Sequence, residues 1–372
     1  MKGLKEVGVL AIDRFLQSRA SSWMANNGEH VDIAMSTRIR LARNLDEFKF
    51  PYAFSEDEAL KVDKAVSSVL LDKGKEVGYG FTHINIEELN DLQREVLVEK
   101  HLISPYLANS QHSSAVLLSD EEELSVMVNE EDHMRIQSLQ SGFHLQEAYD
   151  IANKMDSLLE EHLSYAFHER FGYLTSCPTN TGTGMRASVM LHLPALTMSH
   201  QINRIIPAIS RLGMVVRGIY GEGSEALGNV YQISNQVTLG KSEYEILQDL
   251  QNMTEQIIEQ ERRAREALNA NSPLLLEDRV YRSLGVLTHA RLLNTEEAAT
   301  CLSDVRLGID LHLITDVDMS ILNELMVFMQ PAFLQQYAGR PLEAKERDLA
   351  RAELFRERLA DNGINTKGED FA

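Results

Sequence analysis

From Lys241 onward almost every apolar residue recurs at helical spacing, whereas the chain before it mixes helical stretches with short apolar runs. This change of period at Lys241 limits the fold more than any other feature. It predicts α+β structure first and an all-α part second. Ser242 and Glu245 form a capping-box pair that opens a helix running to Asn271, and Asp316 to Phe328 keeps the same period. In the first part, Ser55-Glu-Asp-Glu58 opens a helix to about Asp72. Ala115-Val-Leu-Leu118 and Leu124-Ser-Val-Met-Val128 read as strands around a solvated turn, Ser119 to Glu123. A helix is expected from Leu145 to Phe167, then strands around Leu191, Val215 and Val230–Ile233. The amphipathic start, up to Met24, reads as helical. Helices interleaved with short antiparallel strands favour an antiparallel sheet flanked by helices over a regular βαβ alternation. Three segments are expected: a helical lead-in over 1–35, an α+β domain over 36–241 and an α-helical domain over 242–372.

Charge narrows the function. With 36 Lys and Arg against 56 Asp and Glu, the net charge is −20. That argues against direct nucleic-acid or anionic-membrane binding, which needs a basic face. Only Cys177 and Cys301 occur, so a disulfide framework is not expected and a reducing cytoplasm is. The N-terminal stretch is broken by Glu6, Asp13 and Arg14, unlike a signal peptide, and no apolar run approaches a membrane span.

Ser176-Cys-Pro-Thr-Asn-Thr-Gly-Thr-Gly-Met-Arg-Ala-Ser188 joins two glycines to an arginine, a combination that suits an anion. Gly182-x-Gly184-x-x-Ala187 loosely fits a dinucleotide fingerprint, but a strand running into Pro194 follows it, and no acid lies between Gly184 and Glu222. Leu239-Gly-Lys-Ser242 misses a P-loop because Asn235 stands where glycine is needed. Three more stretches carry arginine: Ser36-Thr-Arg-Ile-Arg40, Asn129-Glu-Glu-Asp-His-Met-Arg135 and Val216-Arg217-Gly218. Each alone has an ordinary explanation. Arg38 and Arg40 alternate like a strand's solvent face, and Asn129 with three acids looks like a helix N-terminus. The glycines fit a plain turn, and Cys177 a small buried apolar residue.

Taken together, SxRxR, NEEDHxR, CPTNxGTGxRAS and VRGxxGE, in this order and from Ser36 to about Gly240, resemble the phosphagen kinases. That resemblance implies a phosphagen-kinase-like catalytic domain that moves a phosphoryl group between ATP, with Mg²⁺, and a guanidinium. It assigns Arg38, Arg40, Arg135, Arg186 and Arg217 to the phosphates, with Ser36, His101 and Ser188 also on the nucleotide, and no protein ligands to the metal. Arginine suits phosphate because its planar fork grips two oxygens and keeps its charge. The same pattern makes Glu131 the principal base and Glu222 the second carboxylate, with Cys177 touching the guanidino group. Carboxylates hold a planar guanidinium and can accept its proton as the N–P bond forms.

The sequence departs from the small-molecule enzymes of that family, which carry a helical domain ahead of SxRxR; here 35 residues precede Ser36 and the extra length follows Lys241. Met190 and Gln232 replace a histidine and an aspartate of arginine kinases, which leaves the adenine and ribose contacts open. A short front and helical back resemble the bacterial protein-arginine kinases, so protein substrates are expected. The alternatives are a kinase for free arginine and a non-catalytic binding module. The resemblance further implies a heat-shock repressor among the targets, an activator protein, a Clp protease that reads the mark, and a homodimer or higher homo-oligomer. Arg347-Asp-Leu-Ala-Arg-Ala352 reads by charge alone as a solvated helix with weak ion pairs. It also resembles the motif with which these kinases bind phosphoarginine at a second site, through Arg347, Asp348 and Arg351.

Overall fold

Period-two runs fold as strands and capped runs as helices in the computed structural model, which describes residues 14–16, 21–218, 226–315 and 318–361. Of the expected N-terminal helix, residues 14–16 are helical and most of the rest lies outside the described residues. Two units emerge: Met1–Trp23 with Ser36–Val189 and Ser234–Asn252, and Met24–Met35 with Met190–Ile233 and Met253–Ala372.

The first unit carries β1 (Ala34–Arg43) from Ser36 on, α1 (Glu56–Lys73), β2 (Phe81–Asn85), α2 (Asp91–Glu99), α3 (Pro105–Ala108), β3 (Ala115–Ser119) and β4 (Leu124–Val128). It continues with β5 (Met134–Ser141), α4 (Leu145–Glu160), β6 (Phe167–His168), β7 (Gly172–Tyr173) and, as far as Val189, β8 (Met185–His192). The sheet order is β2-β3-β4-β5-β1-β8, antiparallel from β2 through to β1. β3 and β4 are buried along their whole length, which explains their unbroken apolar sequence. At the head of α1 the Ser55 N–H donates to Glu58 (2.8 Å) and the Glu58 N–H donates back to Ser55 Oγ (3.3 Å). Ala59, Val62, Val66 and Leu70 form its buried stripe at spacings of three and four.

Two local expectations change. α4 stops at Glu160 rather than Phe167, although Leu163 and Ala166 continue its apolar period. The chain there is taken up by pairing instead: Tyr165 bridges Leu45, and the Ala166 N–H donates to Asn44 O (2.8 Å). Asn129 begins no helix; it opens the turn between β4 and β5. It has φ of 56°, and its N–H donates to His133 O (2.9 Å). Asparagine tolerates this left-handed conformation, and its side-chain nitrogen is absorbed by Ala59 O and Ser113 O (both 2.9 Å).

The second unit contains α5 (Pro194–Met198), α6 (Ile202–Arg211), β9 (Met214–Gly218) and, as far as Ile233, β10 (Val230–Asn235), with β9 beside β10. α7 (Glu243–Asn271) begins on the expected Ser242–Glu245 box and belongs to this unit from Met253 on. It leads into α8 (Pro273–His289), α9 (Thr295–Asp310), α10 (Met319–Phe328), α11 (Pro331–Ala338) and α12 (Ala344–Asp361). Buried charges knit this unit together. Glu261 accepts the Ala195 and Leu196 N–H groups at the start of α5 and pairs with Arg265, which also reaches Asp310 (2.9 Å). Among the described residues no helix is long and apolar enough to cross a membrane.

Candidate active site

Side chains two apart on a strand share a face, so Arg38 and Arg40 point the same way from β1. Register sets Arg40 opposite Gln137 and Ala42 opposite Arg135, which puts Arg135 of β5 on that face too. Arg186 projects from β8, where Ser188 Oγ also donates to Arg38 O (3.5 Å). Neither Arg38 nor Arg40 lies on a solvent face; both are half-buried. The four guanidiniums press on one another. Arg38 is pushed down to about 10 by burial and then by Arg135 and Arg186. Arg40 falls well below its ordinary range through burial, Arg38, Arg135 and Arg186, with Glu130 opposing. Arg40 Nε is buried with no hydrogen-bond partner among the described residues. Converging like charges with an unused buried donor are costly unless a polyanion arrives to meet them.

Carboxylates stand beside this cluster. Arg135 Nη1 pairs with Glu130 (2.7 Å) and Nη2 with Glu131 (3.2 Å). Glu130 is buried and also accepts from Ser104 Oγ (2.6 Å), whereas Glu131 is 37 % exposed. Desolvation raises the Glu131 pKa; Glu130 and Asp132 push the same way, while Arg135 and Arg186 oppose. Cys177 Sγ lies 3.0 Å from Thr179 Oγ1. Glu131, Cys177, Arg40, Arg135 and Arg186 line one cleft of about 130 Å³. It therefore gathers three guanidiniums, a carboxylate and a thiol in one lining.

Gly182 and Gly184 are needed for packing. Gly184 has φ of 64°, and a Cβ there would sit 2.6 Å from Ala42 O and from Arg43 Nη1. A Cβ on Gly182 would strike Thr238 O. The turn thus lets β8 enter the sheet against β1, and Gly184 itself lines the cleft. Asn235, where a P-loop would need glycine, accepts the Ala187 N–H (2.8 Å) and donates to Met185 O (3.0 Å).

His101 has φ of 61°, and its carbonyl accepts from Gln137 Nε2 (2.8 Å). Burial, followed by Arg38 and Arg40, lowers its pKa to about 3 and keeps it neutral. Its ring lies 5.5 Å from Trp23. Ser36 is buried on β1. Met190 packs with Met35 and Val230 in the second unit. Arg217 lies on β9 of that unit, and Glu222 falls outside the described residues. Arg347, Asp348 and Arg351 sit on α12, and Arg351 is buried rather than solvated. Its Nε donates to Met329 O (2.9 Å) and its Nη1 to Leu293 O (2.7 Å) and Asp348 (2.8 Å). Arg347 donates to Leu342 O (2.8 Å).

Several supporting residues carry no local sequence signal. Arg43 is buried against Asp156 (2.6 Å) and under the Tyr173 ring (3.6 Å), and it donates to Thr183 O (2.9 Å) beside Gly184. His133 accepts the Leu45 N–H at Nδ1 (3.0 Å) and donates from Nε2 to Lys49 O (2.9 Å). It stacks on Phe54, and burial lowers its pKa to about 4, so it props the turn as a neutral ring.

Residues 61–264 match the family ATP:guanido phosphotransferase, C-terminal catalytic domain, and residues 273–369 match the protein-arginine kinase McsB C-terminal domain. A protein-arginine kinase of Geobacillus sp. (strain WCH70) is 54 % identical over 350 residues, covering 94 % of this chain and 97 % of the relative. The protein-arginine kinase of Bacillus subtilis (strain 168) is 55 % identical over 351 residues, covering 94 % and 96 %. Among solved structures, lombricine kinase aligns with a TM-score of 0.55 at 25 % identity, over 66 % of this chain and 70 % of that one. The duplicated taurocyamine kinase of Schistosoma mansoni aligns with a TM-score of 0.55 at 28 % identity, over 62 % of this chain and 33 % of that one.

Proposed function

Because the chain belongs to the ATP:guanido phosphotransferase family, we propose that it is a protein-arginine kinase, moving the γ-phosphoryl group of Mg·ATP to arginine side chains in proteins. One observation carries the chemistry: Arg40, Arg135 and Arg186 share a cleft with Glu131 and Cys177. The substrate class rests on relatives more than half identical over nearly the whole chain that are named protein-arginine kinases.

In this reading the arginines take the phosphates, with Arg217 and Ser188 joining Arg38, Arg40, Arg135 and Arg186, while Ser36 and His101 serve the nucleotide. A triphosphate fits the donor set, since it would satisfy Arg40 Nε and offset the mutual repulsion. Phosphoryl transfer is chiefly positioning and electrostatics, which such a cluster supplies. Mg²⁺ would be held by phosphate oxygens and water, in keeping with its habit of retaining its waters, and Glu130 is committed to Arg135. Glu131 orients the target guanidinium and takes its proton as the N–P bond forms and the bond to ADP breaks. Cys177 contacts the guanidino group, and Glu222 is the second carboxylate. Arg347, Asp348 and Arg351 form a second, product-reading site.

The wider setting we propose is cytoplasmic heat-shock control by a homo-oligomer, with an activator protein, a repressor among the substrates and a Clp protease reading the mark. The test is incubation with Mg·ATP and either casein or free arginine, followed by mass spectrometry without acid. Phosphoarginine in casein at a rate above that of free arginine supports the reading. Faster turnover of free arginine at equal guanidino concentration replaces it with a small-molecule kinase.

A further inference from the structure

Asn44, at the end of β1, is 1 % exposed and spends its whole carboxamide on two loops. Its Nδ2 donates to Asp132 Oδ1 (2.6 Å) and to Leu174 O (3.1 Å), and its Oδ1 accepts the His133 N–H (2.8 Å). The same Asp132 oxygen accepts the Ser176 N–H (2.6 Å). One side chain therefore grips the turn that carries Glu131 and the loop that leads from β7 to Cys177, and Asp132 ties the two loops to each other. Glu131 and Cys177 are each one residue from a clamped atom. Asp132 is itself 1 % exposed, and its other oxygen is buried with no partner among the described residues.

We propose that Asn44 is a positioning residue for phosphoryl transfer, a bracket that holds the Glu131 turn and the Cys177 loop at the spacing an acceptor guanidinium requires. A carboxamide is suited to this because it donates and accepts at once. An alanine would release both loops, and an aspartate would set a second carboxylate against Asp132. Neither substitution touches the arginine cluster. The proposal rests on the assignment of Glu131 and Cys177 to the acceptor side.

The experiment compares Asn44→Asp with the reciprocal swap Asn44→Asp/Asp132→Asn in the full chain. The swap moves the donor to position 132 and restores the bond between the two side chains. Asn44→Asp should lower kcat roughly 10²-fold, the scale of a small misplacement of reacting groups. Affinity for a non-hydrolysable ATP analogue should stay near wild type, and the swap should recover a large part of kcat. Alkylation of Cys177 by iodoacetamide, followed by peptide mass spectrometry without ATP, should change rate in Asn44→Asp and return in the swap. Wild-type kcat in Asn44→Asp overturns the proposal, as does a parallel fall of kcat and nucleotide affinity that the swap does not repair. If Asn44→Asp does not fold, Asp132→Asn and Asp132→Ala decide. The first keeps an oxygen acceptor and should stay active, while the second should not; equal activities overturn the bracket. Glu131→Gln run alongside separates the two readings. An active Glu131→Gln sinks the base assignment, while the alkylation rates still report on the bracket.

Discussion

Arg135 Nη2 stands 3.2 Å from Glu131 Oε2, so the carboxylate assigned to the acceptor is tied to one of the cations assigned to phosphate. Burial nonetheless outweighs that attraction and holds the Glu131 carboxyl above its ordinary range. A general base must be ionised. The acid limb of kcat/KM should therefore lie above the ordinary glutamate pKa of about 4.3 and should disappear in Glu131→Gln. A pH profile of both proteins on a protein substrate decides this.

The same shift has a stability sign. A carboxyl whose folded pKa is raised favours folding while protonated, and this contribution is lost as pH rises through the folded pKa. Glu131→Gln should accordingly match or exceed the wild-type Tm near neutrality, with the difference closing in acid. Its turnover should fall by about 10²–10⁴, the usual worth of a general base, while ATP affinity holds. Thermal melts at several pH values and single-turnover assays check the two halves.

Arg186→Ala should weaken ATP binding by about 1.5–3 kcal/mol, or roughly 10- to 150-fold, since a charge-assisted hydrogen bond is lost. Because Arg186 depresses the pKa of both Arg38 and Arg40, its removal should also raise the Tm of the nucleotide-free protein. Calorimetric titration and a melt without ATP test this opposition between binding and stability.

Trp23 is the single tryptophan, and its ring lies 5.5 Å from that of His101. Nucleotide binding beside His101 should change its emission, with a midpoint that follows the calorimetric affinity. Arg186→Ala should shift the midpoint to higher ATP.

The α12 motif should divide under mutation. Arg351→Ala strands Met329 O and Leu293 O, at about 1–3 kcal/mol per buried unsatisfied group, and should lower the Tm. Arg347→Ala should leave the Tm nearly unchanged. Loss of free phosphoarginine binding in Arg347→Ala, measured by titration, would support the product-reading role.

Local signals in the sequence reach as far as local interactions do. The capping boxes at Ser55 and Ser242 and the strands Ala115–Ser119 and Leu124–Val128 depend on neighbours within a few residues, and all were legible. The arginines at 38, 40, 135 and 186 were legible as a set only through motif resemblance. What unites Arg38, Arg40 and Arg135 is the β1–β5 register, and what adds Arg186 is the place of β8 beside β1; periodicity specifies neither. Tertiary pairing hid the rest. α4 ends early because residues 164–166 pair with the segment after β1, and Asn129 turns because its side chain is held by Ala59 and Ser113. Arg43 and Asp156 meet across 113 residues, and Asn44 and Asp132 across 88, with nothing in either neighbourhood to announce the pair.

Arg43, Arg306 and Arg351 are among the largest fully buried side chains. A kinase for arginine must live with its own arginines as competing acceptors. A guanidinium walled in and bonded to carbonyls or a carboxylate presents no nitrogen to a second enzyme molecule, whereas Arg263 and Arg282, with side chains 73 % and 77 % exposed, can reach one. Burial thus sorts the chain's own arginines into those immune to self-marking and those open to it, and it places the framework arginines on the immune side.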